Sequence, residues 1–166
     1  MVSAVGKSAA ALLIAASFLG PVGSASAQQP YYLPSAANSR IVTVARTGNA
    51  EAAITVLTQA VAIKETGPRE TIAHFGEVYA FSPSFIAVHR DQPTEISFWN
   101  LQRDDDHNLM LADPRFNVLM FVDLPPLTKT SYVFTFHQEG LFPFYCTMHQ
   151  PAMSGQILVL PPSKPD

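Results

Sequence analysis

Downstream of Gly67-Pro68 the chain alternates apolar and polar residues in short runs, the period-two signature of strands with one buried face. The pattern predicts strands over Thr71 to Phe81, Phe85 to His89, Thr94 to Asn100, Asn108 to Ala112, Ser131 to His137 and Gln156 to Leu160. Leu141 to Tyr145 reads as one more, strongly apolar. Turn-forming runs separate them: Ser82-Pro83-Ser84, Arg90 to Pro93, Leu101 to Asp106, Leu124-Pro125-Pro126 and Gln138-Glu139-Gly140. Upstream, Ile41 to Arg46 alternates and predicts a strand, whereas Gln28 to Asn38 is polar, interrupted by Pro30 and Pro34, and reads as a loose leader.

Residues 49 to 66 carry two patterns at once. Asn49 can cap a helix whose apolar stripe is Ala53, Val56, Leu57, Ala60 and Val61. Ile54, Thr55, Val56, Thr58, Val61 and Ile63 are β-branched, however, and such residues favour strands. The stripe predicts a helix in the first half, and the branching a strand from Val61 to Glu65. Short strands at this spacing, with fourteen prolines kept mostly to the turns, predict an all-β, Greek-key antiparallel β-sandwich with at most one short N-terminal helix.

The first residues read as an export signal. Lys7 provides a positive start, Ala9 to Leu19 an apolar core of eleven residues, Pro21 a break, and Ala25-Ser26-Ala27 a small-x-small cleavage site. Eleven residues are too few to span a bilayer, which takes about 20, so no membrane span is expected after cleavage. Cutting after Ala27 divides the chain into a signal (1–27), a leader and extension (28–70) and one main domain (71–162), 139 residues in all once the signal is removed from 166. The mature balance is 9 basic against 13 acidic residues, which argues against a nucleic-acid partner and suits docking to a basic protein.

Export sharpens the meaning of the single cysteine, Cys146. Exported proteins use cysteines in pairs, and a lone exposed thiol outside the cytosol is open to oxidation. Three readings follow: a buried inert thiol, an intermolecular bridge or a metal ligand. The run Tyr145-Cys146-Thr147-Met148-His149-Gln150-Pro151-Ala152-Met153 favours the last, because an imidazole follows three residues on and a thioether four further. His107, after Asp104-Asp105-Asp106, offers a second imidazole. Two imidazoles and one thiolate with a weak axial methionine form the ligand set of a mononuclear copper site for electron transfer. One loop can deliver Cys146, His149 and Met153, while His107 must approach from another strand end. Met148 and Gln150 are alternative axial donors, with Met153 favoured.

The pattern Phe144-Tyr145-Cys146-x-x-His149-x-x-x-Met153-x-Gly155-x-Ile157-x-Val159 resembles the C-terminal signature of the cupredoxins, the small type 1 blue copper proteins. Phe81-x-Pro83-x-x-Ile86-x-Val88, Ile96-x-Phe98-x-Asn100 and His107-Asn108 are similar to the family's middle strands, so the resemblance covers about residues 72 to 160. It implies copper, one per chain, held by His107, Cys146, His149 and Met153, with Asn108 bracing the loop near Thr147. It also implies a non-enzymatic, periplasmic carrier of single electrons between redox proteins such as a c-type cytochrome or a terminal oxidoreductase. A dinuclear centre with two cysteines is excluded by the single thiol. The rival readings are a carrier or sensor that hands on Cu(I), and a copper enzyme with an open coordination position. Phe142, Phe144, Tyr145 and Trp99 are read as packing around the site, His74, His89 and His137 as ordinary strand or surface histidines, and Asp104 to Asp106 as either a solvated turn or a patch that orients a basic partner.

Overall fold

A computed structural model describes residues 32–163. The signal, its cleavage site and residues 28–31 lie outside the described residues. Ten strands form two five-stranded sheets. The first has the order β1 (Val42–Ala45), β8 (Lys129–Phe136), β5 (Thr94–Trp99), β2 (Ala52–Ala62), β3 (Val78–Ser82). The second has the order β4 (Phe85–His89), β10 (Ser154–Leu160), β9 (Gly140–Tyr145), β6 (His107–Ala112), β7 (Val118–Leu124). One short helix, α1 (Arg69–Phe75), connects β2 to β3.

The sheets face each other across an aromatic core. Phe81 and Phe98 of the first sheet meet Phe144 of the second at ring-centroid distances of 5.3 and 6.3 Å, and Phe136 meets Phe142 at 5.0 Å. These rings are essentially without solvent contact. Each contributes on the order of 2 kcal/mol or more of burial free energy, so the faces are held in one register.

Several expectations are corrected. The sandwich is not purely antiparallel: β2 runs parallel to β5 and β4 parallel to β10, which makes both sheets mixed. Residues 52–62 form one continuous strand rather than a helix followed by a strand. The β-branched residues win because Val56 and Thr58 turn into the core, while a bulge between Ala60 and Ala62 breaks the alternation that would have announced a strand. The helix sits instead at Arg69–Phe75, where a strand from Thr71 was expected, and β3 begins only at Val78. β7 was not predicted at all: Leu119 to Val122 are buried on both faces, so no polar residue marks a period of two. The leader from Tyr32 is also engaged, since Tyr32 and Phe121 exchange backbone hydrogen bonds of 2.9 and 3.0 Å and so cover the outer edge of β7. β1 and β2, both within 28–70, are integral members of the first sheet.

Gly155 is fixed by space. A Cβ there would collide with the Phe144 ring and with the Ser84 carbonyl oxygen, which brings β10 close to β9 just after the Cys146–Met153 loop. Gly155→Ala should therefore destabilise the protein by about 1–3 kcal/mol, read as a lower urea midpoint. An unchanged midpoint would show that the neighbours yield freely.

Candidate metal centre

At one end of the second sheet, the pairing of β6 with β9 is short: Met110 opposes Tyr145 and Leu111 opposes Phe144. The same register continued would set Asn108 opposite Thr147, but there the two backbones have parted. The Asn108 side chain takes over the ladder. Its Nδ2 donates to Thr147 Oγ1 at 2.9 Å, and its Oδ1 accepts from the Thr147 N–H at 2.8 Å. His107, the first residue of β6, thus faces the loop that follows β9.

That loop is closed by its own backbone. The Cys146 N–H donates to the Met153 carbonyl and the Met153 N–H to the His149 carbonyl, each at 2.9 Å. Cys146 and Met153 are fully buried, His107 nearly so, and His149 is half-buried. His107 Nδ1 lies 3.1 Å from His149 Nδ1, and Cys146 Sγ lies 3.6 Å from the same atom. Ligand atoms of the three residues all fall within 4.8 Å of one another, the only such group of three among the described residues.

These separations fit a shared ion. Nitrogen and sulfur donors about 2.0–2.3 Å from a common first-row metal stand roughly 3 to 3.7 Å apart. The tautomer fits as well: His107 Nε2 lies 2.9 Å from Gln102 Oε1, and by accepting that N–H Gln102 leaves Nδ1 bare and pointing at His149 and Cys146. Gln102 is itself held, its Oε1 accepting from the Thr58 hydroxyl and its backbone N–H donating to Asn100 Oδ1 at 3.0 Å. Asn100 then donates through Nδ2 to the carbonyls of Asp105 and Leu124 at 2.8 and 2.9 Å. A buried polar network therefore delivers the 101–106 loop, and His107 after it. A thiolate, two imidazoles and a thioether suit copper better than the harder divalent ions.

Electrostatics favour the metal-binding form of the rings. Burial, reinforced by His149, pushes the His107 pKa from 6.5 down to about 4, although Asp105 and Asp106 pull the other way. Burial also lowers His149, against Asp105 and Glu77. Tyr79 packs against both imidazoles at 4.9 and 4.6 Å and donates its hydroxyl to Asp105, and its own pKa is raised by burial and by that carboxylate.

The frame matches known structures. Auracyanin B superposes with a TM-score of 0.50 at 13% identity, covering 74% of this chain and 99% of that one. The fold is cupredoxin-like. One multicopper oxidase reaches a TM-score of 0.52 at 12% identity over 68% of this chain and 45% of the oxidase. Another, a metallo-oxidase from Campylobacter jejuni, reaches 0.51 at 10% identity over 68% of this chain and 31% of the oxidase. No protein-family model matches the sequence, and no curated protein matches it. Identities this low speak to the cupredoxin-like fold alone.

Of the residues singled out from sequence, the structure brings together His107, Cys146 and His149, with Asn108 and Thr147 joined beside them and Met153 buried at the loop's end. Met148 is 47% exposed. Phe142 and Phe144 are core, whereas Trp99 is partly exposed. His74 is exposed on α1 rather than on a strand. His89 bonds the Pro161 carbonyl, and His137 bridges Thr43 and Asp91. Tyr79 and Gln102 were not foreseen, because nothing in their linear neighbourhood places them beside a ligand.

Two outcomes test this geometry. His107 refuses a proton in the folded protein that it accepts at pH 6.5 when unfolded. Stability of the metal-free form is therefore full above that pH and lost as pH falls toward about 4. Urea unfolding across that range should show the loss, and His107→Gln should flatten it. Gln102→Leu removes the acceptor that sets the tautomer and should weaken copper binding about 10- to 100-fold in a chelator competition, with Gln102→Glu weakening it less.

Proposed function

We propose that this protein is an exported, non-enzymatic carrier of single electrons, built on one mononuclear type 1 copper held by His107, Cys146 and His149, with the Met153 thioether as a fourth, weaker donor. Copper bound there supplies a one-electron couple between its two oxidation states. The observation that supports this reading is the convergence of two imidazole nitrogens and the only thiol of the chain, at 3.1 and 3.6 Å, inside a stiff sandwich end.

The chain's own residues do the rest. Asn108 and Thr147 fix the distance between the strand that carries His107 and the loop that carries Cys146. Gln102 holds the His107 ring. Phe142, Phe144 and Met153 keep water from the sulfur, and their packing leaves the donors little room to rearrange. Of the four donors only His149 is not fully buried, so electrons enter and leave through its ring. A copper carrier that hands on Cu(I) needs donors its acceptor can reach, and the burial of Cys146 and His107 favours the electron carrier. The export signal supports work in the periplasm between redox proteins, and among the described residues no helix is long and apolar enough to cross a membrane.

Adding Cu(II) to the mature protein should produce an intense visible band and a reversible one-electron potential, and Cys146→Ala should abolish the band. A protein that stays colourless with excess copper would end this reading.

A further inference from the structure

The two sheet faces that look away from the core differ in chemistry. On the first sheet Ile96 and Phe98 are buried in the core, so Glu95, Ser97 and, across the ladder, Ser131 and Lys129 point outward. That face is polar, and Glu95 pairs with Lys129 at 3.4 Å. On the second sheet Ile86, Phe142, Phe144 and Ile157 take the core side. Alternation therefore sends out Phe85, Ala87, Leu141, Pro143, Tyr145 and Leu158, which the register sets in neighbouring rows. None of these six is charged, and Phe85 and Leu141 are 54% and 44% exposed.

The chain covers the far side of this face and not this half. Tyr32 pairs with Phe121 on β7, at the opposite edge of the sheet from β4. A cut after Ala27 leaves four residues ahead of Tyr32, and four residues reach at most about 14 Å. β7 and β4 lie four strand spacings apart, about 19 Å, so the leader cannot reach β4.

The uncovered half carries both a recess and a knob. The recess, of 570 Å³, is lined by Pro143, Tyr145 and Gln156, with Phe85 on the β4 side and Phe116 on the side of the β6–β7 turn. No charged residue lines it. Phe116 is 72% exposed and holds a left-handed φ of 64°, which disfavours a residue with a Cβ. Asp113 fixes it there, its carboxylate accepting from the backbone N–H groups of Arg115 and Asn117, each at 2.8 Å. The turn thus accepts backbone strain and leaves a phenyl ring in water, which a solvated turn would not require.

We infer that the β4–β10–β9 face is where two copies of this protein pair, with Phe116 of each seated in the recess of the other. A two-fold interface needs one patch that fits itself, and here the knob and the hole share a face. Two sheets packed this way form an ordinary face-to-face layer. Charge permits it as well. With 13 acidic against 9 basic residues the mature copies repel elsewhere, but this face adds nothing to the repulsion. A charged partner finds no opposite charge on it, and a flat bilayer leaves the recess unfilled, so a second copy is the occupant that the face selects. His149 does not line the recess, and the pairing holds whether or not the metal centre is loaded.

Sedimentation equilibrium of the mature protein, metal-free and copper-loaded, tests this between about 1 µM and 1 mM, the range suited to an interface at the small end of the usual size. The mass should rise from one chain to two. Raising salt from about 20 to 500 mM should not weaken the dimer, because salt only screens the repulsion between acidic copies. Phe116→Gly removes the ring and suits the left-handed backbone. It should weaken the dimer at least about tenfold while leaving the urea midpoint of the dilute protein unchanged or higher. Phe85→Asp should weaken the dimer too, and amide shifts on concentration should gather on residues 84–87, 115–117, 141–145 and 154–158. Several results would overturn the inference: one chain's mass at every concentration, or a dimer that both variants leave intact. So would shifts centred on residues 147–152 or on the outer face of the first sheet, or a protein that stays monomeric and binds neutral phospholipid vesicles. A dimer that takes up no copper would refute only the proposed function.

Discussion

Everything at the metal end depends on one side chain replacing a strand ladder. β6 and β9 share only two register pairs before their backbones separate, and the gap between them is the room in which His107, Cys146 and His149 meet. Left alone, two parting strands would expose unpaired backbone groups and drift. Asn108 prevents this by donating to and accepting from Thr147, so the strands separate by a set amount. Because Asn108 is buried, losing either bond would strand a polar group out of water at about 1–3 kcal/mol, which makes the spacing hard to deform. Ligand distances follow from that rigidity rather than from the loop's own preference.

The electrostatics show which of two opposed effects governs the site. Asp105 and Asp106 stand just before His107 and would raise its pKa, but burial overrides them and holds the ring neutral to about pH 4. The acidic run therefore does not act inward by charging the imidazole. Its carboxylates spend their field outward, where Asp104 and Asp106 are exposed, while Asp105 is drawn in by the Tyr79 hydroxyl. One short segment thus serves two purposes: its backbone and Asp105 help anchor the loop behind the ligand ring, and its remaining carboxylates shape the surface.

What was legible in the sequence follows from local chemistry, and what was not follows from tertiary context. The loop from Cys146 to Met153 could be read because its donors lie within eight residues, and β4 because its alternation is undisturbed from Phe85 to His89. β2 misled because its bulge spoils the period of two, so the accidental stripe of Val56, Leu57, Ala60 and Val61 looked helical. β7 was silent because Leu119 to Val122 are buried on both faces, and its edge is paired with Tyr32, in a segment some ninety residues away. The parallel pairings were equally hidden, since side-chain alternation is the same for either strand direction. Gln102 and Tyr79 belong to the same class: each reaches a ligand ring only after the sheets have packed, and no spacing rule joins them to it.

The placement of α1 gives the architecture a division of labour. Donors and their supports sit on strand ends and on a loop tied at both sides, where a small displacement is costly because it disturbs the aromatic core. α1 sits on a connection, buries none of its seven residues and can change its surface without moving a ligand. A ring at Phe75 is therefore under no structural obligation, unlike Phe144, whose removal would empty the centre of the sandwich and open the space that Gly155 is too small to fill. The property that must stay constant, the separation of two nitrogens and a sulfur, is entrusted to burial and paired hydrogen bonds. The property free to vary, the surface beside half-buried His149, is left to an exposed turn of helix.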